Sequence, residues 1–123
     1  MSKNVKVYGT PTCPYCVRAK QYLKDNNVAF EDAEFKKSAI FHDAEFERDA
    51  LFQSAKFFET SDFANSLFHG NAKFINVLFE KSVDFGNATF AGDASFYMAQ
   101  FKSPAEFISA NFRGNADFHG LLL

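Results

Sequence analysis

Two cysteines, Cys13 and Cys16, are the residues best able to do chemistry in this sequence, with Pro14 and Tyr15 between them. A Cys-X-X-Cys pair can exchange with disulfides. One thiolate attacks a disulfide sulfur, and the second thiol resolves the mixed disulfide. That needs a lowered thiol pKa, which a helix N-terminus supplies through its unpaired amides and dipole.

The surrounding residues read as the elements that would place the pair there. Val5-Lys6-Val7-Tyr8 alternates and reads as a strand, which Gly9-Thr10-Pro11-Thr12 breaks. Residues 14–26 read as a helix, with Cys16, Ala19, Tyr22 and Leu23 on one face and Arg18, Gln21, Lys24 and Asp25 turned away. Cys13 then sits at or just before the helix start, and Cys16 lies one turn on. Pro14 suits the first turn, where its missing N–H costs nothing. Arg18 and Lys20 add a weak positive potential.

The run Tyr8-Gly9-Thr10-Pro11-Thr12-Cys13-Pro14-Tyr15-Cys16, followed by Ala19-Lys20-Gln21-Tyr22-Leu23, resembles the opening of a glutaredoxin. The resemblance implies a dithiol that reduces disulfides or glutathione adducts. Cys13 would be the nucleophile and Cys16 the resolving thiol, with Thr12, Pro14 and Tyr15 beside the substrate. Glutathione would be a co-substrate rather than a bound cofactor. The resemblance covers residues 5–31. The second helix, Thr-Val-Pro loop, further strands and last helix with which a glutaredoxin continues have no counterpart, so any such activity is expected to be weak.

The remainder of the sequence repeats. Of its 18 Phe, 17 fall at 30, 35, 41, 46, 52, 57, 63, 68, 74, 79, 85, 90, 96, 101, 107, 112 and 118, with gaps alternating between five and six. Phe58 alone is off register and is expected to point outward. Two residues before each Phe stands a small residue, among them Ala33, Ala39, Ser61, Ser66, Val77 and Val83. The extra residue of each longer unit is a turn or cap former: Ser38, Asp49, Thr60, Asn71, Ser82, Asp93, Pro104 or Asn115. On a helix these positions spread around the axis. On an extended segment, residues i−2 and i face one side, so the pattern predicts short strands joined by corners, a β-solenoid.

Ala110-Asn111-Phe112 and Ala116-Asp117-Phe118 resemble the pentapeptide-repeat unit, and the resemblance covers residues 28–123. It implies a mainly β fold, a right-handed four-sided β-helix. The added sixth residue enlarges the coil to 22 residues. Phe30, Phe52, Phe74, Phe96 and Phe118 would then form one vertical stack. The chain divides into a truncated glutaredoxin-like segment, 1–27, and a Phe-rich solenoid, 28–123. Val28-Ala29-Phe30 belongs to both patterns. The helix at 14–26 is expected to cap the first coil. A natural fusion, a truncation and an artificial chimera fit equally.

Charge narrows the partners. A net charge of −2 predicts neither nucleic acid nor membrane as a partner. No apolar run is long enough for a signal peptide or a membrane span, and two closely spaced cysteines do not make a secreted disulfide framework. A cytoplasmic location is expected. His42, His69 and His119 each follow a core Phe and are expected at the surface, with no metal site. Alongside the enzyme reading stands a non-enzymatic scaffold or protein-binding module acting through the solenoid faces. Mimicry of DNA toward a topoisomerase is its minor form, because Lys36, Lys37, Arg48, Lys56, Lys73, Lys81, Lys102 and Arg113 interrupt an acidic face. The uncapped C-terminal coil also leaves open a homodimer.

Overall fold

A computed structural model describes residues 3–4 and 28–122 of the chain, with side chains from residue 30 onward. Its organising step is 22 residues: every described strand from Val28–Ala29 to Ala94–Ser95 pairs in parallel with the strand 22 positions later, as Ala50 does with Ala72 and Ala72 with Ala94. Four parallel sheets result, one per side of a rectangular coil. The first face holds Lys3–Asn4, Val28–Ala29, Ala50–Leu51, Ala72–Lys73, Ala94–Ser95 and Ala116–Asp117. The second runs from Glu34–Phe35 to Gln100–Phe101, the third from Ala39–Ile40 to Ala105–Glu106, and the fourth from Glu45–Phe46 to Asn111–Phe112. The fold is the mainly β, four-sided, 22-residue coil that the spacing and the resemblance together predict. No helix occurs among the described residues.

Each side is extended for about three residues because small residue, spacer and Phe must alternate in, out and in. Ala50 and Phe52 are buried while Leu51 between them is partly exposed. Four rings per coil fill the bore and stack on those of the next coil. Phe30, Phe52, Phe74, Phe96 and Phe118 form the expected column, with centroids 4.8, 4.8, 5.0 and 5.1 Å apart and planes within 17°. Across the bore the rings meet edge to face, as Phe63 does with Phe74 at 5.6 Å and 89°. Both geometries suit the ring quadrupole. Bulk at Phe leaves room only for small partners on the same side, which accounts for the alanine at i−2. Toward the last described coil the cover thins: Phe107 and Phe112 are half-buried, and Phe118 is 39% exposed. Phe58 is half-buried rather than fully outward.

The two unit lengths make two kinds of corner. After Phe30 and every eleventh residue from it, the second following residue is left-handed: Asp32, Asp43, Ser54, Asn65, Asn76, Asn87, Met98, Ser109 and Gly120, with φ between 58° and 72°. Asp, Asn and Gly tolerate that region best. At the six-residue corners the inserted residues bond between coils. Asp49 Oδ1 accepts the Asn71 N–H at 2.9 Å, Asn71 Oδ1 accepts the Asp93 N–H at 3.0 Å, and Asp93 Oδ1 accepts the Asn115 N–H at 3.0 Å. On the opposite corner, Ser38 and Thr60 hydroxyls lie 3.1 Å apart.

Candidate functional site

Thr12, Cys13, Pro14, Tyr15 and Cys16 lie outside the described residues, as do the strand read at 5–8 and the capping helix read at 14–26. The structure does describe what bounds them. Lys3–Asn4 pairs in parallel with Val28–Ala29, Lys3 opposite Val28 and Asn4 opposite Ala29. Val28–Ala29 pairs in turn with Ala50–Leu51 of the next coil. Residues 5–27 therefore connect two neighbouring parallel strands. A two-residue hairpin cannot make such a connection, which takes a crossover of a dozen or more residues. The strand beyond the first coil also covers the edge of the first face, at Val28–Ala29, where an unpaired row of amides and carbonyls would otherwise stand. The described residues on either side of the dithiol segment thus both belong to the first face, at its outermost strands.

Along the described coils, outward side chains form columns at the 22-residue step. The column of the third face reads Ile40, Asp62, Asp84 and Glu106, so three acids that are far apart in sequence become neighbours. Two of them are engaged locally: Asp62 Oδ1 accepts the Ala64 N–H at 2.9 Å and Asp84 Oδ1 accepts the Gly86 N–H at 2.7 Å. The first face reads Leu51, Lys73, Ser95 and Asp117, and the second reads Glu34, Lys56, Leu78 and Gln100. The basic residues interrupt the acids on these two faces, as the sequence predicts, but not on the third.

His42, His69 and His119 are exposed, as expected. None of them is isolated: the His119 ring stacks on Tyr97 at 5.7 Å, and the other two meet carboxylates. His42 lies 3.2 Å from Asp43 and 3.5 Å from Asp62. His69 Nε2 lies 3.0 Å from Glu45 Oε2 and 3.4 Å from Glu47 Oε1, and these three donor atoms all lie within 4.8 Å of one another. Sequence reasoning treated each histidine alone and missed this grouping. The signal was present: position 47 plus one coil is position 69, so Glu47 and His69 had to be vertical neighbours.

Comparison with known proteins matches both halves. A family model described as pentapeptide repeats (9 copies) matches residues 30–78 and again 74–121. A glutaredoxin model matches residues 5–47, overlapping the first coil. Over 28 residues the chain is 54% identical to an uncharacterized glutaredoxin-like 8.6 kDa protein in the rubredoxin operon of Clostridium pasteurianum. That match covers 23% of this chain and 37% of the relative, so the chain spans little more than a third of the relative's length. No solved structure matches. Among the described residues, no helix is long and apolar enough to cross a membrane. The chain carries a glutaredoxin-like module on a repeat scaffold, and by the 22-residue coil and the match over most of its length it belongs to the pentapeptide-repeat family.

Proposed function

We propose that Cys13 and Cys16 carry out glutaredoxin-type thiol–disulfide exchange, with the solenoid as the rigid body that bears them. The observation that carries this reading is a Cys-Pro-Tyr-Cys motif within a glutaredoxin match, in a segment that links two parallel neighbouring strands. The Cys13 thiolate attacks one sulfur of a substrate disulfide. That S–S bond breaks, and the departing thiolate takes a proton. Cys16 then attacks Cys13 in the mixed disulfide and releases the second substrate thiol. Two glutathione molecules reduce the resulting Cys13–Cys16 disulfide and leave as glutathione disulfide. Thr12, Pro14 and Tyr15 flank the attacked bond. A reducing cytoplasm supplies the glutathione. Turnover is slow, because the match ends at residue 47 and the later glutaredoxin elements are replaced by coils.

A second reading has its own observation. The outer faces are rigid columns of mixed polar side chains, including the acidic column Asp62, Asp84 and Glu106, and such faces suit a protein partner more than a small substrate. Thiol titration separates the two. Under the redox reading, Cys13 alkylates with an apparent pKa below the free-cysteine value of about 8.5. The chain then reduces a small disulfide with glutathione, and Cys13→Ser abolishes turnover. Equal, unshifted reactivity of both thiols, with turnover unchanged in Cys13→Ser, leaves the scaffold reading.

A further inference from the structure

We infer that Glu45, Glu47 and His69 form a surface site for a divalent transition metal ion of the zinc class. The three residues come from two successive coils of the fourth face. Glu45 and Glu47 flank the core residue Phe46, so both project outward from one short extended segment. His69 follows Phe68, one coil above. Its backbone is held in place: the His69 N–H donates to the Phe46 carbonyl at 2.8 Å, and the Phe46 and Phe68 rings stack at 4.5 Å with planes 4° apart. The scaffold therefore fixes where the three side chains start.

Their heads converge on one point. Nε2 of His69 lies 3.0 Å from Glu45 Oε2 and 3.4 Å from Glu47 Oε1. One ring nitrogen carries at most one proton, and one N–H aims well at only one acceptor. The arrangement thus brings two carboxylates to one ring nitrogen. A divalent cation with a neutral imidazole would balance both negative charges. The spacing fits it: two donors each about 2.1 Å from a tetrahedral zinc lie about 3.4 Å apart. The Nε2–Oε1 separation already has that value, the Nε2–Oε2 separation is a few tenths of an ångström shorter, and the two carboxylate oxygens lie within 4.8 Å of each other. The side chains are 36–40% exposed, which leaves an open side for water as a fourth ligand. A mixed imidazole and carboxylate set favours zinc, cobalt or nickel. Magnesium and calcium take oxygen ligands in larger number.

The test uses the full chain with Cys13→Ser and Cys16→Ser, since thiolates also bind zinc. Zinc chloride is titrated by calorimetry, and Tm is measured with and without the ion. The expected result is one zinc per chain and a raised Tm. Outer-shell partners alone are worth about 10–100-fold in metal affinity, so removing a direct ligand by His69→Ala or Glu47→Gln should weaken binding at least about tenfold and cancel the Tm shift. Both substitutions are at the surface, and an unchanged far-UV spectrum verifies folding. No zinc uptake by the parent, or equal uptake by the folded His69→Ala chain, overturns the site.

Discussion

Gly92 lies so close above Gly70 in the stacked corner that a Cβ built on Gly92 would stand 2.5 Å from the Gly70 carbonyl oxygen. Gly114 repeats the relationship with Gly92, again at 2.5 Å. At the same corner the side chains of Asp49, Asn71 and Asp93 each accept an N–H from the next coil, so the backbones stack closely there. Gly92→Ala is therefore expected to destabilise the chain by about 1–3 kcal/mol, the usual cost of overpacking. Gly86→Ala meets only the Asp84 carboxylate, at 2.9 Å, and that side chain can move. Its loss in a urea melt should be the smaller of the two.

Met98 holds a left-handed φ of 59° at a turn position where Asn65, Asn76 and Asn87 hold the same conformation in other coils and corners. Met gains nothing locally from that conformation, and Asn tolerates it. Met98 is 39% exposed, so little packing is lost on replacement. Met98→Asn is expected to raise stability by about 0.5–1 kcal/mol, read as a higher urea midpoint. A lower midpoint would show that the methionine contacts, including its proximity to Gly120, outweigh the backbone term.

Two buried serines occupy the small-residue position and behave differently. Ser66 Oγ donates to the Phe63 carbonyl at 2.6 Å, while Ser61 Oγ is buried with no hydrogen-bond partner. A buried hydroxyl without a partner costs about 1–3 kcal/mol. Ser61→Ala should thus be neutral or stabilising. Ser66→Ala should lower stability slightly. The order of their thermal midpoints decides the point.

The aromatic core should report its own gradient. Phe74 is fully buried, stacked on Phe52 at 4.8 Å and on Phe96 at 5.0 Å, and edge-on to Phe85 at 5.4 Å. Phe74→Ala is expected to cost about 3–5 kcal/mol. Phe118 belongs to the same column but is 39% exposed, with one stacked neighbour, Phe96. Phe118→Ala should cost a fraction of that value. Equal losses would mean that the column does not bear the core energy.

The repeat was legible because one physical requirement, a bore filled by four rings per coil, recurs every 22 residues and leaves Phe and its small partner at every side. Four-sidedness was not legible from spacing alone. It came with the family resemblance and is seen in the four separate sheets. The left-handed corner residues were visible as an eleven-residue series of Asp, Ser and Asn, but Met98 obscured the rule. The grouping of Glu45, Glu47 and His69 escaped because it exists only between coils, where neighbours are 22 and 24 positions apart. The motif at 12–16 was plain in the sequence, and its side chains lie outside the described residues.

Trapping the mixed disulfide tests the redox claim most directly. The Cys16→Ser chain, incubated with glutathione disulfide and analysed as intact protein by mass spectrometry, should gain one glutathionyl group, mapped to Cys13. The Cys13→Ser chain should gain little under the same conditions, because only Cys13 is the activated nucleophile. Equal labelling of Cys13 and Cys16, or none on Cys13, would contradict the assignment of this chain as a glutaredoxin-type exchanger.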